Sequence, residues 1–401
     1  MRTPSRRITR SGLVLSALVV LAMGLSACQD VTSSGPADSP KPPASSPSGS
    51  PTNTPQPPPG GADRLTLVAT GDVLLHERLW RTAQVDGKGR YDFEPLMAPI
   101  KPLVESADLA VCHLETPLAE PGGPYSGYPL FNGPPQIAPA LKATGYDACT
   151  TASNHSFDRG ARGVDRTLAT LEKAGLRHSG TARTPKEAAT PVILDVRGVK
   201  VALLSYTYGF NGMPYPQGQT WRAGKLDVPA IKAAARKARD AGAQIVVVSC
   251  HWGTEYDQKA NPEQRALAPQ LLADSNIDLV LGHHAHVVQP MERINGKWVA
   301  YGLGNLMAAH RQPLSIKSEG LLARFTFARG DDGRWSVDKA EYASLLVTDS
   351  VPMRILDVRR QLAKPDQSAA TRRRLEAARA RTESVVTSLG AARHGATPIT
   401  P

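Results

Sequence analysis

The sequence predicts an α/β protein with a largely parallel sheet, followed after His286 by a second, more antiparallel sheet packed on the first. Two observations carry this. From Leu65 to Leu281, short branched apolar runs alternate with stretches of helical periodicity, the strand, loop and helix order of a parallel sheet. Run after run then empties into a loop rich in His, Asp, Glu or Asn, on what should be one edge of that sheet.

In chain order, residues 1–27 come first. They carry Arg2, Arg6, Arg7 and Arg10, then the apolar stretch Gly12 to Leu25, and end in Leu25-Ser26-Ala27 ahead of Cys28. A basic start followed by an apolar segment too short to span a bilayer reads as a secretory signal peptide. The cysteine after Leu-Ser-Ala resembles the bacterial lipobox, which implies cleavage before Cys28 and lipidation of its thiol. A lipid-anchored protein on the extracellular face of the cell membrane is the expectation. Ser5-Arg6-Arg7 is also similar to a twin-arginine signal, although the residues after it fit poorly. Residues 28–62 form a Pro/Ser-rich tether: Gln29 to Ala62 holds ten prolines and no aromatic residue, so it has nothing to bury.

The folded domain is expected over residues 63–350. Its first strand, Leu65 to Thr70, runs into Gly71-Asp72-Val73-Leu74-Leu75-His76. Leu109 to Cys112 runs into His113-Leu114-Glu115, and Ala148 to Ala152 into Ser153-Asn154-His155-Ser156-Phe157-Asp158. Ile245 to Ser249 runs into Cys250-His251-Trp252-Gly253, and Asp278 to Leu281 into Gly282-His283-His284-Ala285-His286. Helical stretches lie near Leu96 to Glu105, Ile137 to Thr144, Gly163 to Ala174, Val228 to Ala241 and Glu263 to Asp274. Seven of the ten histidines fall in the strand-end loops, and imidazole is the commonest side-chain ligand for divalent metals. His178 lies outside them and reads as an ordinary strand-edge residue.

Beyond His286 the pattern shortens to strands near Val287 to Arg293, Lys297 to Gly302, Leu321 to Phe327 and Trp335 to Ala343. Asn295-Gly296 and Asp332-Gly333 mark hairpins between them. Residues 351–401 read as a basic helical tail, partly disordered, with the helix over Ala369 to Leu389.

Charge narrows the partners. The net charge is +11, but the signal peptide contributes four arginines, and the stretch from Arg354 onward holds ten basic and four acidic residues. The body is nearly neutral and aromatics are 5%, which argues against nucleic acid. The tail reads as a solvated helix face or a contact with anionic envelope polymer. Apart from Cys28 there are three cysteines, Cys112, Cys149 and Cys250, each in or at the end of an apolar run. Buried free thiols are expected, with a disulfide open to at most one pair, so metal ligands must come from His, Asp, Glu and Asn.

Six motifs, taken together, resemble the CapA family, the poly-γ-glutamate capsule biosynthesis group of the calcineurin-like metallophosphoesterase superfamily. They are Gly71-Asp72, His113-Leu114-Glu115, Ser153-Asn154-His155 with Asp158 and Gly160, His251-Trp252-Gly253 with Glu255-Tyr256, Gly282 to Val287 with Gln289, and Tyr301 to Asn305. The resemblance covers Leu65 to Phe327. It implies a four-layer α/β/β/α sandwich of two mixed sheets with a metal centre at the strand ends. It also implies two divalent ions, Mn, Fe or Zn, with Asp72 and His286 on one, Asn154, His251 and His284 on the other, and Glu115 bridging. His155 would be the outer histidine serving the substrate or leaving group, with Asp158 orienting it. The alternative for Asp158 is a cap for the helix that follows. The chain departs from the superfamily pattern where Leu74 replaces a histidine, Glu115 an aspartate, and Asp158 an acid directly after Asn-His; at His113 the CapA group usually has asparagine. His76 is either a substitute for the missing histidine or a rim residue. His113, His283, Glu255 and Asn305 adjoin the site, with His283 outside the ligand set. The implied function is a surface-anchored metal-dependent hydrolase acting on a phosphoester or amide of an anionic envelope polymer such as poly-γ-glutamate. The alternative is a polymer-handling surface protein that keeps the fold and metal site without turnover.

Overall fold

The computed structural model describes residues 62–310 and 315–400. The expected signal peptide, Cys28 and the expected tether up to residue 61 lie outside the described residues.

The chain visits two sheets in three passes. Strands β1 (Arg64–Val73), β2 (Leu109–Leu114), β3 (Ala148–Thr150) and β4 (Arg177–Ser179) lie parallel in one sheet. The next six build the other: β5 (Val192–Val196), β6 (Val199–Thr207), β7 (Ile245–His251), β8 (Leu279–His283), β9 (Met291–Ile294) and β10 (Lys297–Ala300), in the order β5-β6-β7-β8-β10-β9. The last five return to the first sheet: β11 (Asn305–Met307), β12 (Glu319–Arg329), β13 (Trp335–Val347), β14 (Ile355–Asp357) and β15 (Thr397–Pro398). β1 is the hinge of this arrangement, pairing in parallel with β2 and β11 and antiparallel with β12.

Side chains alternate across a strand, so each sheet has two apolar faces to cover. Leu65, Leu67 and Ala69 of β1 meet Leu203 of β6, Val247 of β7 and Leu281 of β8 in a core between the sheets. Val68 and Val73 point the other way, into a core shared with helices α1 (Glu77–Asp86), α2 (Glu94–Met97), α3 (Lys101–Val104), α4 (Ile137–Thr144) and α5 (Gly160–Lys173). The short α6 (Pro185–Ala189) follows β4. The outer face of the second sheet, with Val246, Val248 and Val280, is covered by α7 (Val228–Asp240) and α8 (Pro262–Leu272). The result is the four-layer α/β/β/α sandwich of two mixed sheets.

The structure redraws several expectations. The later strands form no sheet of their own; β9 and β10 extend the second sheet, while β12 to β14 extend the first. Strand periodicity says which residues face a core but not which neighbour a strand finds. The expected helix over Leu96 to Glu105 is two short helices around a 3-10 turn, Ala98–Ile100, because Pro95, Pro99 and Pro102 each lack an amide donor. Cys112 and Cys149 are register partners on β2 and β3 and form a disulfide, in place of two of the expected free thiols; Cys250 is buried and free. No domain boundary falls at residue 350. Helices α9 (Val358–Leu362) and α10 (Ala369–Thr387) pack Val358, Leu375 and Ala378 on Leu346 of β13, and Arg374 and Arg381 of α10 bind the buried carboxylate of Glu319. The tail expected to be partly disordered belongs to the same body as the sheet.

Candidate metal centre

Five parallel strands end on one edge of the sandwich: β1, β2 and β3 from one sheet, β7 and β8 from the other. That edge collects the polar groups, as the C-terminal ends of parallel strands do. Asp72 sits one residue before the end of β1, where a register shift between Ala69 and Asp72 breaks the pairing with β2 and re-aims the strand. Its neighbour Gly71 must be glycine: a Cβ there would lie 2.0 Å from the Gly304 carbonyl oxygen. His251 and His283 close β7 and β8, and His284 and His286 follow.

Both His284 (φ 86°) and His286 (φ 56°) occupy the left-handed region, which non-glycine residues adopt at a cost of about 1–3 kcal/mol each. The loop is held there by hydrogen bonds. The His284 N–H donates to Asp72 Oδ2 at 3.2 Å, the Trp252 N–H to the His283 carbonyl at 3.2 Å, and the Tyr256 N–H to the Ala285 carbonyl at 2.7 Å.

The side chains converge in two groups whose ligand atoms lie within 4.8 Å of one another: Asp72 with His113 and His251, and Glu115 with His284 and His286. Contacts join the two. Asp72 meets His286 Nδ1 at 3.1 Å and His283 Nδ1 at 3.3 Å, and Glu115 Oε1 lies 3.8 Å from His251 and 3.7 Å from His286. Glu115 thus reaches from its own group to His251 of the other. Thr150, His113, His251 and Asn154 form a chain: His113 Nδ1 to Thr150 Oγ1 at 2.8 Å, His113 Nε2 to His251 Nδ1 at 3.0 Å, and His251 Nε2 to Asn154 Oδ1 at 2.9 Å. Asn305, the register partner of Asp72, accepts from His286 Nδ1 at 3.0 Å.

Burial pushes each group toward its neutral form. It raises the Glu115 carboxyl well above the usual range and lowers His113 and His251 well below theirs, and His284 to about 3. Burial would also lower His286, but the Glu115 and Asp72 carboxylates lift it to about 9. Burial raises Asp72 too, yet hydrogen bonds and charge from His283 and His286 hold it well below the carboxylate range. Asp72 Oδ1, both Glu115 oxygens and His284 Nδ1 are buried without a hydrogen bond. Stranded carboxylate oxygens beside the neutral imidazoles of His113, His251 and His284 are a donor set short of a cation, and the residues therefore fit a divalent metal.

His155 stands beside this cluster. Its Nδ1 is 2.7 Å from Asp158 Oδ2, which also accepts the Phe131 N–H at 2.8 Å, and the Phe131 ring meets the imidazole edge to face at 4.8 Å. Asp158 does not cap α5, whose N-cap is Arg159 with no side-chain hydrogen bond. His76 takes the Ala309 N–H on Nδ1 at 3.2 Å, its rings pack with Phe131 and His310, and burial lowers it to about 4. Leu74, at the position of the motif histidine, is packed on Phe131 and Ala308. Glu255 is exposed, though its charge reaches Glu115 and His286. His178 belongs to neither group and pairs with Glu172.

Sequence reasoning missed part of the wall. His310 packs on His76, His286 and Tyr256 at ring separations of 4.9, 5.7 and 5.7 Å; its one signal is that it follows the Asn305 motif by five residues. Tyr208 packs on His284 at 4.6 Å from the end of β6, a strand absent from the expected set. His113 and His283, kept out of the implied ligand set, are stacked at 4.1 Å within the cluster.

Comparison with known proteins places the chain. The family model for bacterial capsule synthesis protein PGA_cap matches residues 66–310, and the chain belongs to that family. It is 27% identical over 252 residues to capsule biosynthesis protein CapA of Bacillus anthracis, covering 61% of this chain and 60% of that one. It is 31% identical over 202 residues to PGA biosynthesis protein CapA of Bacillus subtilis, covering 49% and 51%. A probable polyglutamine synthesis accessory protein of Mycobacterium tuberculosis is 28% identical over 261 residues, covering 61% and 67%. The chain thus spans between half and two thirds of the length of these relatives. Among solved structures, a putative 5'-nucleotidase from Staphylococcus aureus aligns at 16% identity with a TM-score of 0.45, over 78% of this chain and 58% of that one.

Proposed function

From that membership, we propose that the protein is a metal-dependent hydrolase held at the outer face of the cell membrane through Cys28, cutting a phosphoester or amide bond of an anionic envelope polymer. The names of its relatives tie those proteins to capsule, PGA and polyglutamine synthesis, which supports poly-γ-glutamate as the polymer. The observation that carries the hydrolase reading is the His155–Asp158 pair at 2.7 Å beside a buried, cation-deficient ligand cluster.

Divalent ions would be held by Asp72, His113 and His251 and by Glu115, His284 and His286, with Asn154 and His283 adjoining. Bound there, they would supply Lewis-acid polarisation of a phosphoryl or carbonyl oxygen and lower the pKa of water near them. The chain's own contribution is proton control. Asp158 accepts from His155 Nδ1, which fixes the ring and leaves Nε2 to deliver a proton to the departing oxygen or nitrogen. The Phe131 N–H on the same Asp158 oxygen keeps the carboxylate from turning away.

The test is turnover of p-nitrophenyl phosphate and of poly-γ-glutamate with added Mn²⁺. Hydrolysis lost to a chelator and restored by metal is expected. Polymer binding that survives chelation, with neither substrate cleaved, would instead make the chain a polymer-handling surface protein. The anchor is tested separately: Cys28→Ala should move the protein from the membrane fraction to the medium.

A further inference from the structure

A polyanion approaching the cluster meets Asp72, Glu115 and Glu255, so a substrate charged along its length needs a cation to receive the groups that do not react. Lys317 is placed for this. Its Nζ sits 3.6 Å from the centroid of the Tyr256 ring, within cation–π range. Tyr256 lies 6.0 Å from the His286 ring and is itself in the left-handed region (φ 65°), held by its N–H to Ala285 inside the histidine loop. The Lys317 backbone is tied to the same place: its carbonyl accepts from Asn305 Nδ2 at 2.9 Å, while Asn305 Oδ1 accepts from His286. Two independent attachments, one through the side chain and one through the backbone, thus fix this lysine against the metal-centre wall.

Its charge is not spent. Among the described residues Lys317 joins no salt bridge, and neither Glu255 nor any other carboxylate lies within 4.0 Å of its ammonium. An aromatic face occupies one side of an ammonium group and leaves N–H donors for an anion. Among the described residues, Arg159 donates to the carbonyls of Leu130 and Phe131, and Arg374 and Arg381 bind Glu319, so these cations are engaged.

We infer that Lys317, seated on Tyr256, is a substrate-binding residue that receives a non-reacting carboxylate or phosphate of a polyanionic substrate beside the metal centre. The inference rests on the polymer reading above, and gives it a specificity element. As a compact point charge, lysine suits either anion.

The experiment measures binding by the full chain loaded with Mn²⁺, using poly-γ-glutamate and inorganic polyphosphate as probes. Lys317→Met, which keeps an apolar stem for Tyr256, should raise Kd for one or both polymers about tenfold, and Lys317→Arg should restore it to within about threefold. Which polymer suffers identifies carboxylate or phosphate as the recognised group. Metal content should stay at the wild-type level in both variants. Unchanged Kd for both polymers overturns the inference, as does loss of metal in step with affinity, which would mean that the residue only supports the loop. Because binding is read without turnover, the two readings fail separately. Lys317-dependent binding by a protein that hydrolyses nothing sinks the hydrolase alone, and hydrolysis with an unchanged Kd in Lys317→Met sinks this inference alone.

Discussion

Among the described residues, two places bring histidine and carboxylates within ligand distance, and they are built on opposite principles. At the metal centre, carboxylates and imidazoles are buried and several of their atoms have no partner. At the other, Glu172, His178 and Glu187 also lie within 4.8 Å of one another, but Arg183 is already among them, donating to Glu172 at 2.7 Å and to Glu187 at 3.1 Å. The second cluster carries its own cation and its outer carboxylate is half exposed, so it is an ion-pair network complete without metal. Geometry alone does not distinguish the two. The difference lies in whether the charge is already balanced and in whether water can reach it.

The strongest test of this contrast is removal of ligands from the first cluster. His284→Ala and His286→Ala should each reduce bound metal, measured by elemental analysis of protein purified without tag histidines, to below about a tenth of the wild-type level. Hydrolysis should fall with it. The larger gap between roles comes next: His155→Ala should keep its metal and lose about 10² to 10⁴ in turnover, the usual share of a general acid. Metal loss in His155→Ala equal to that in His284→Ala would show that the two shells have been confused.

A smaller effect separates backbone from ligand. In the presence of chelator, His284→Gly should be more stable than His284→Ala by about 1 kcal/mol in urea unfolding, since glycine adopts φ 86° without strain and alanine does not. Equal stabilities would mean that the loop relaxes once the imidazole is gone.

Smaller still is the effect at the second cluster. Chiefly through its hydrogen bonds to Arg183, Glu172 is held down to about 2 from its ordinary 4.5. A depressed carboxylate contributes stability above its unfolded pKa and loses it as pH falls through the folded one. Wild type should therefore exceed Arg183→Met in stability at pH 7 by less than about 1 kcal/mol, given the exposure, and the gap should close between about pH 4.5 and 2. His178→Ala is the control and should leave metal content and turnover as they were; loss of metal there would erase the distinction between the clusters.

Much of the centre was legible because parallel strands announce their C-terminal ends. An apolar run that stops at a glycine or a polar residue marks the sheet edge, which is how Asp72, Glu115, Asn154, His251, His284 and His286 could be gathered from separate stretches. What stayed hidden depends on neighbours in space. Cys112 and Cys149 are 37 residues apart, and only the zero-offset register of β2 and β3 sets them face to face. His310 and Lys317 lie where the sequence has no period to read. Tyr208 was lost with β6, whose antiparallel partner β5 joins it through the tight Arg197-Gly198 turn. The sheet to which each late strand belongs was equally invisible, because the apolar content of β10 and β12 marks them as strands without naming the partner each one finds.

The pairing of Asp72 with Asn305 brings together residues 233 positions apart in the chain. Closing so long a loop costs entropy before any contact rewards it, and folds dominated by such closures form slowly. No early fragment of the chain can hold the ion: β1 and β2 supply acids and His113, but the imidazoles of β7 and β8 arrive much later, and Asn305 later again. Metal uptake should therefore be among the last events of folding, and a pulse of metal during refolding would time the completion of the sandwich.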